Sequence, residues 1–245
     1  MIDFEVPAGS RLGILGGTFD PLHNGHLVLA QAAREHFALD RVVLIPAAQP
    51  PHKQGEPVSP FPQRAAMLEL ALGEQPGLLG SRMEQQRAGP SYSIDTLRQL
   101  HQELPADCAL FFIIGSDAFA EITSWQNYQQ LFHYADFLVA QRPGSRDQLP
   151  ASGQLAGILA NLADFLPPDA EASSPGAVAP RPPATTNPQL RPWRHRQGGL
   201  IYPCPVAAIP VSASEIRQRV RQGKPIAHLV PPPVAAYIAR HHLYR

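Results

Sequence analysis

Short apolar runs alternate with helix-forming segments through the first half of the chain, and this alternation limits the fold more than any other feature. Buried strands are predicted at Arg11–Leu15, Val42–Ile45, Ala109–Ile114 and Phe137–Ala140. Helices are predicted at roughly Gly25–Phe37, at Phe61–Leu72, and from a Ser91 or Ser93 cap to Leu100. Strands that alternate with helices form parallel βαβ units. The sequence therefore predicts an α/β fold with a parallel sheet and helices on both faces.

The carboxyl ends of the strands are the expected binding edge of such a sheet. Three strand ends carry polar or glycine-rich residues: Gly16-Gly17-Thr18, Gly115-Ser116-Asp117 and Gln141-Arg142-Pro143-Gly144. We expect these three segments to contribute to one site.

The second half of the chain is less regular. Leu155–Leu166 has the spacing of an amphipathic helix, which either packs on the sheet or serves as an interface or lid. From Pro167 to Gly199 the chain is rich in Pro, Ala, Ser and Thr without an apolar period, so we predict a disordered or loosely held insertion at 167–199 within a single domain at 10–245. Its basic end, Arg191–Arg196, is either a solvated loop or a contact for a partner. We expect ordered structure to resume at Leu200. The predicted elements after this point are a strand near Val206–Pro210, a helix from Ser212 or Ser214, and a last helix at about Pro233–His242.

Charge and cysteine content limit the function classes. The 245 residues include 20 basic and 20 acidic side chains, and this balance argues against a nucleic-acid groove or a polybasic membrane surface as the main partner. Met1–Ser10 lacks a signal-peptide pattern, and no apolar run is long enough for a membrane helix. Cys108 and Cys204 stand apart from any metal-binding spacing; a disulfide is possible, but two free thiols in a reducing compartment are the simpler interpretation. We expect a cytoplasmic protein.

The segment from Gly16 to His26, GGTFDPLHNGH, is the most informative in the chain. Glycines after a strand allow close approach of the backbone to a ligand, and the amides at the following helix N-terminus attract anions. His23 and His26 lie three residues apart at this helix start, so both imidazoles can face one ligand and donate hydrogen bonds to phosphate oxygens. An isolated HxxH is also compatible with half of a metal site or with chance.

A second motif spans Val211–Arg217, VSASEIR. Ser212 and Glu215 have the spacing of a capping box, which by itself predicts only an ordinary helix start. The same helix N-terminus can offer amides and hydroxyls to a phosphate, with Arg217 one turn further as a charged clamp.

The two motifs resemble the GG[ST]FDPxHxGH and ISxTxxR signatures of the (H/T)xGH nucleotidyltransferases. Further segments resemble one branch of them, the bacterial nicotinate-nucleotide adenylyltransferases. These segments are Ile45–Lys53, Ser91–Leu97, Phe112–Asp117, Ser124-Trp125, Arg142–Gly144, Leu229–Pro231, Tyr237-Ile238 and Leu243-Tyr244. The resemblance covers the chain except Met1–Gly9 and roughly Pro167–Gly199.

The resemblance implies a Rossmann-like nucleotidyltransferase fold and the reaction of ATP with nicotinate mononucleotide, assisted by Mg²⁺ and without a protein metal site. It assigns His23, His26 and Arg217 to catalysis. It assigns ATP binding to Gly17, Thr18, Lys53, Asp117, Arg142, Ser212 and Ser214. It assigns the acceptor to Trp125, which would stack on the nicotinate ring, and to the backbone at Ser93, which would receive the carboxylate. It gives no oligomeric state.

Three positions depart from the family pattern: Ser214 and Ser93 stand where threonine is usual, and Val211 stands where isoleucine is usual. Both serines keep the hydroxyl, and the valine is a neutral change. Several site residues also have plain structural interpretations: Trp125 as core, Asp117 as a helix cap and Lys53 as a solvated charge. The competing functions are another (H/T)xGH transferase, such as a phosphopantetheine adenylyltransferase or a cytidylyltransferase, and a non-catalytic nucleotide sensor.

Overall fold

A computed structural model describes residues 2–53, 55, 57–73, 75–140, 151–160, 162–168, 190–206 and 210–245 of the chain. The described residues form a central eight-stranded sheet with the strand order β3-β2-β1-β4-β5-β8-β7-β6. The strands are β1 (Arg11–Gly17), β2 (Arg41–Pro46), β3 (Leu78–Gly80), β4 (Ala109–Gly115), β5 (Asp136–Ala140), β6 (Phe165–Leu166), β7 (Trp193–His195) and β8 (Leu200–Cys204). The six strands from β3 to β8 in this order are parallel, and β7 and β6 extend the edge through antiparallel pairs.

Helices cover both faces of the sheet. They are α1 (Asn24–His36), α2 (Phe61–Leu72), α3 (Ser93–Glu103), α4 (Ser116–Ala120), α5 (Tyr128–Tyr134), α6 (Ala151–Leu159), α7 (Ala213–Arg221) and α8 (Pro232–Arg240). The alternation along β4 separates two cores: Phe111 and Ile113 pack with residues of α1, α2, α7 and α8, whereas Phe112 and Ile114 pack with residues of α3 to α6. The predicted α/β fold with helices on both faces is confirmed.

The strand order creates a crevice next to β1. The chain proceeds from β1 to β2 and β3 on one side and crosses back to β4 and β5 on the other. Connections that leave in opposite directions open a gap at the carboxyl ends of the two central strands, and ligands bind in this gap in sheets of this kind. The glycine-rich end of β1 and the Gly115-Ser116-Asp117 segment after β4 meet here.

Most predicted elements agree with the structure within a few residues, but three predictions were wrong in detail. Strand β8 lies at Leu200–Cys204, where its buried residues pair with β5, and residues 207–209 of the strand predicted near Val206–Pro210 lie outside the described residues. The helical pattern of Leu155–Leu166 gives a helix only to Leu159, and Phe165-Leu166 forms a short strand. The α3 cap is Tyr92 rather than a serine.

The third correction concerns the end of the predicted insertion at 167–199. Trp193–His195 is a strand between β6 and β8, and His195 is buried against the rings of Phe132 and Phe165. Aperiodic composition hid this strand because its pairing partners lie elsewhere in the chain. Residues 169–189, the centre of the predicted insertion, lie outside the described residues.

No helix in the described part of the chain is both long and apolar enough to span a membrane.

Candidate active site

A cleft of about 580 Å³ opens at the crevice beside β1 and β4. Its walls include the carboxyl ends of both strands, the start of α1 and the segment before α3. Eight residues predicted for the site line it: Gly17, Thr18, His23, His26, Lys53, Ser93, Asp117 and Trp125. One cleft therefore collects residues that lie as far apart in the sequence as Gly17 and Trp125.

The turn after β1 brings the backbone close to this cleft. A Cβ atom at Gly17 would lie 2.9 Å from the ring of Phe19, which is buried beneath the turn. Phe19 itself has a positive φ of 50°. Only glycine at position 17 leaves room for this folded-back ring, so the glycine motif has a local steric cause.

The two motif histidines form one unit at the start of α1. His23 occupies the cap position and is 5% exposed, whereas His26 is half-buried. Their rings are stacked with centroids 3.7 Å apart, and Phe19 contacts His26 edge-on at 4.9 Å. The backbone N–H of His23 donates to Nδ1 of His26 at 3.2 Å.

This hydrogen bond determines the chemistry that His26 can offer. A ring nitrogen that accepts a hydrogen bond carries no proton, so the neutral imidazole of His26 has its proton on Nε2. Nε2 is then a donor on a side chain that lines the cleft. Such a donor, fixed by the backbone, suits an anionic ligand such as a phosphate.

The N-terminus of α7 is attached to the same turn. The Oγ of Ser212 accepts a hydrogen bond from the Glu215 backbone N–H at 3.1 Å, as the capping-box spacing predicts. Arg217 donates from Nη1 to the Asp20 carbonyl at 2.7 Å and from Nη2 to the Ser214 Oγ at 3.3 Å. Val211, just before the cap, lines the cleft. Ser212, Ser214 and Arg217 do not line the cleft.

Comparison with known proteins agrees with this geometry. The cytidylyltransferase-like family model matches residues 14–219. A protein from Geobacter metallireducens named "Probable nicotinate-nucleotide adenylyltransferase" is 40% identical over 234 residues, covering 96% of this chain and 98% of its own. One of the same name from Desulfatibacillum aliphaticivorans is also 40% identical, with 96% and 99% covered. The chain belongs to the nicotinate-nucleotide adenylyltransferase family. It is therefore a nucleotidyltransferase enzyme, as its motifs predicted.

Solved structures show the same fold at lower identity. Plasmodium falciparum nicotinic acid mononucleotide adenylyltransferase complexed with NaAD matches with a TM-score of 0.67 and 15% identity, covering 96% of this chain and 97% of that one. The same enzyme complexed with APC matches with a TM-score of 0.62 and 16% identity over the same shares. The predicted Rossmann-like nucleotidyltransferase fold is confirmed.

The cleft of this adenylyltransferase is also lined by the aromatic ring of Trp125 and by the first residue of α3. Trp125 is half-buried and packs edge-on against Phe112, with the ring centroids 6.2 Å apart, while it also lines the cleft. Ser93 is the first residue of α3. The preceding segment is held in place by Ser91, whose N–H donates to the Gln49 carbonyl at 2.9 Å and whose Oγ accepts from the Gln49 N–H at 3.1 Å.

The remaining predicted residues have simpler surroundings. Asp117 is exposed in the first turn of α4, where Gly115 and not Asp117 is the cap. Lys53 ends a short 3₁₀ helix and lines the cleft. Arg142 lies outside the described residues.

A buried polar cluster that the sequence motifs did not predict contacts the turn after β1. Arg64 of α2 is 1% exposed, and it donates to the Thr18 carbonyl at 2.7 Å and to the Ser59 carbonyl at 2.8 Å. Burial lowers the pKa of Arg64, and the neighbouring Asp20 opposes this shift. Asp20 is 3% exposed and accepts hydrogen bonds from the Ser59 N–H at 3.0 Å and from the Tyr244 hydroxyl at 2.6 Å. The available signal was an arginine on the apolar face of the predicted helix Phe61–Leu72, where a charge requires partners.

Proposed function

We propose that this enzyme transfers the adenylyl group of ATP to nicotinate mononucleotide, giving nicotinate adenine dinucleotide and pyrophosphate. The observation that carries the proposal is the β1–β4 cleft in which His26 Nε2 is held as a donor at the start of α1. Family membership supports the choice of reaction, because relatives that are 40% identical carry this name.

The triphosphate end of the site is assigned to two helix N-termini. His23 and His26 would donate to the ATP phosphates, and Gly17 and Thr18 would contribute the turn beneath them. Ser212, Ser214 and Arg217 would hold the β- and γ-phosphates from the α7 side. The hydrogen bond from Arg217 to the Asp20 carbonyl supports this assignment, because it holds the guanidinium next to the turn that contains Gly17 and Thr18.

The nucleoside and acceptor ends are assigned to the opposite wall. Asp117 would accept from the adenosine ribose, and Lys53 and Arg142 would contact phosphate. Trp125 would stack on the nicotinate ring, while backbone amides at Ser93 would receive its carboxylate. The N-terminus of α3 favours a negative group at this place.

The reaction needs positioning and charge stabilisation rather than a covalent enzyme intermediate. A phosphate oxygen of the mononucleotide forms the new bond to the α-phosphorus, and the bond from that phosphorus to the bridging oxygen of the β-phosphate breaks. The electron pair of this bond leaves with pyrophosphate. The Nε2–H of His26 and the guanidinium of Arg217 would stabilise the negative charge that develops there.

We also propose that Mg²⁺ enters with ATP. Magnesium usually keeps several water ligands and binds through substrate phosphates, so the ion would be held mainly by the nucleotide. The ion would neutralise charge on the phosphates of the bound nucleotide.

Two general features stay proposals. A single domain at 10–245 is supported by a core cluster that joins Leu15 near its start to Val234 near its end. A cytoplasmic location is supported by Cys108 and Cys204, which are free thiols.

The deciding experiment is pyrophosphate release from ATP with nicotinate mononucleotide, nicotinamide mononucleotide or pantetheine phosphate as the acceptor. We expect turnover with the first and a much lower kcat/KM with the second, because buried donors at Ser93 would stay unpaired without a carboxylate. Equal values for the two mononucleotides would indicate dual specificity. Turnover only with pantetheine phosphate would identify another transferase, and ATP binding without turnover would identify a sensor.

A further inference from the structure

Leu243 and Tyr244, which follow α8, pack near the segment after β1 that contains Asp20. Leu243 is buried, and Tyr244 is half-buried with its hydroxyl 4.0 Å from the Met67 sulfur of α2. His242 and Tyr244 have positive φ angles of 51° and 63°, which turn the chain back after α8. The hydroxyl of Tyr244 donates to Oδ1 of Asp20 at 2.6 Å, across 224 positions of sequence.

Asp20 connects Tyr244 to Arg217. Its side chain accepts from Tyr244 and from the Ser59 N–H, and its carbonyl accepts from Nη1 of Arg217 at 2.7 Å. One buried residue thus receives Tyr244 on the side chain and Arg217 on the backbone. The position of the Asp20 carbonyl, and with it that of the guanidinium, depends on how firmly the side chain is held.

The Tyr244–Asp20 bond is well suited to this task. A short bond from a hydroxyl to a carboxylate is stronger than one between neutral groups, and burial excludes competing water. Burial and the neighbouring Asp20 carboxylate raise the pKa of Tyr244 well above its ordinary value. The hydroxyl therefore keeps its proton, and remains a donor, throughout the neutral pH range.

We propose that Tyr244 is a positioning residue, which acts through Asp20 to set Arg217 for its contact with the triphosphate. This inference rests on the proposed function, in which Arg217 holds the β- and γ-phosphates. The simpler role would be anchoring of the chain end on α2, where Leu243 and Tyr244 would contribute to stability alone. The two roles differ in whether the effect of Tyr244 depends on Arg217.

The test is a double-mutant cycle with Tyr244→Phe and Arg217→Ala, measured by pyrophosphate release and thermal unfolding. Tyr244→Phe removes only the hydroxyl, and we expect about a tenfold lower kcat with a smaller change in the acceptor KM, as for the loss of one hydrogen bond to a charged group. In the Arg217→Ala background the same substitution should have almost no further effect on kcat. Tyr237→Phe, on the half-buried tyrosine of α8 that packs against His241, is the matched control and should leave kcat unchanged.

The outcomes separate the inference from the function on which it rests. A wild-type enzyme without turnover would refute the proposed function itself. With an active wild type, an unchanged kcat in Tyr244→Phe, or an equal loss in both backgrounds, would overturn the positioning role. If Tyr244→Phe does not fold, Asp20→Asn weakens the same connection. The Tyr244 hydroxyl and the Ser59 N–H bind different carboxylate oxygens, and the neutral amide offers one acceptor oxygen and an NH2 group in their place. The loss of kcat in Asp20→Asn should likewise vanish in the Arg217→Ala background.

Discussion

Replacement of His26 with alanine is the most direct test of the phosphate site, because the structure allows its two effects to be estimated separately. The substitution removes a hydrogen bond to the His23 N–H and the ring contacts with His23 and Phe19. A hydrogen bond contributes about 1 kcal/mol and each ring contact about 0.5 kcal/mol. The expected loss of about 2 kcal/mol lowers the melting temperature of a chain of this size by roughly 4–8 °C.

The catalytic effect should be much larger. If Nε2 of His26 stabilises charge that appears only as pyrophosphate leaves, the substitution should lower kcat by about 10²–10³, or roughly 3–4 kcal/mol, with little change in the KM for ATP. His23→Ala should lower kcat similarly but destabilise more, since His23 is the buried helix cap. The double mutant should be less than additive, because both rings would act on one group of phosphate oxygens.

The assay is kcat and melting temperature on one preparation of each variant, at saturating ATP and nicotinate mononucleotide. His36→Ala is the control, since His36 is an exposed histidine at the other end of the same helix. It should match the wild type in both measurements. A normal kcat in His26→Ala, together with the lower melting temperature, would refute the catalytic role and leave a structural histidine.

Three further predictions follow from the structure. Trp125→Ala should chiefly raise the acceptor KM, because stacking is present in the ground and transition states alike; an unchanged KM would make Trp125 a core residue only. Replacing residues 169–189 with a short Gly/Ser linker should preserve kcat and melting temperature, whereas a deletion extended to Gly199 should destabilise the protein by removing strand β7. Burial lowers the pKa of His195 from 6.5 to about 4, so the folded state favours the neutral ring. Stability should therefore be complete above pH 6.5 and fall by about 3 kcal/mol as the pH drops to 4, and urea unfolding of His195→Phe should lack this component.

The sequence by itself determined the parts of this protein that depend on neighbouring residues. Strands β1 and β4 could be predicted because every residue from Leu12 to Gly17 and from Ala109 to Gly115 is apolar or small, and a strand buried on both faces has that composition. The helix starts at His23 and Ser212 were visible because caps act within three or four residues. The glycine turn could likewise be inferred, since the need for glycine at position 17 arises two residues away, at Phe19.

Only the tertiary structure decided the features that join distant segments. Strand β7 exists because β6 and β8 supply its hydrogen bonds and because Phe132 and Phe165 cover His195. Arg64 could be buried only where carbonyl groups from separate loops meet its guanidinium. The hydrogen bonds that Asp20 accepts from Arg217 and Tyr244 span 197 and 224 positions of the sequence. No local pattern encodes such contacts, because the partner of a buried polar group is whatever the completed fold places within hydrogen-bonding distance.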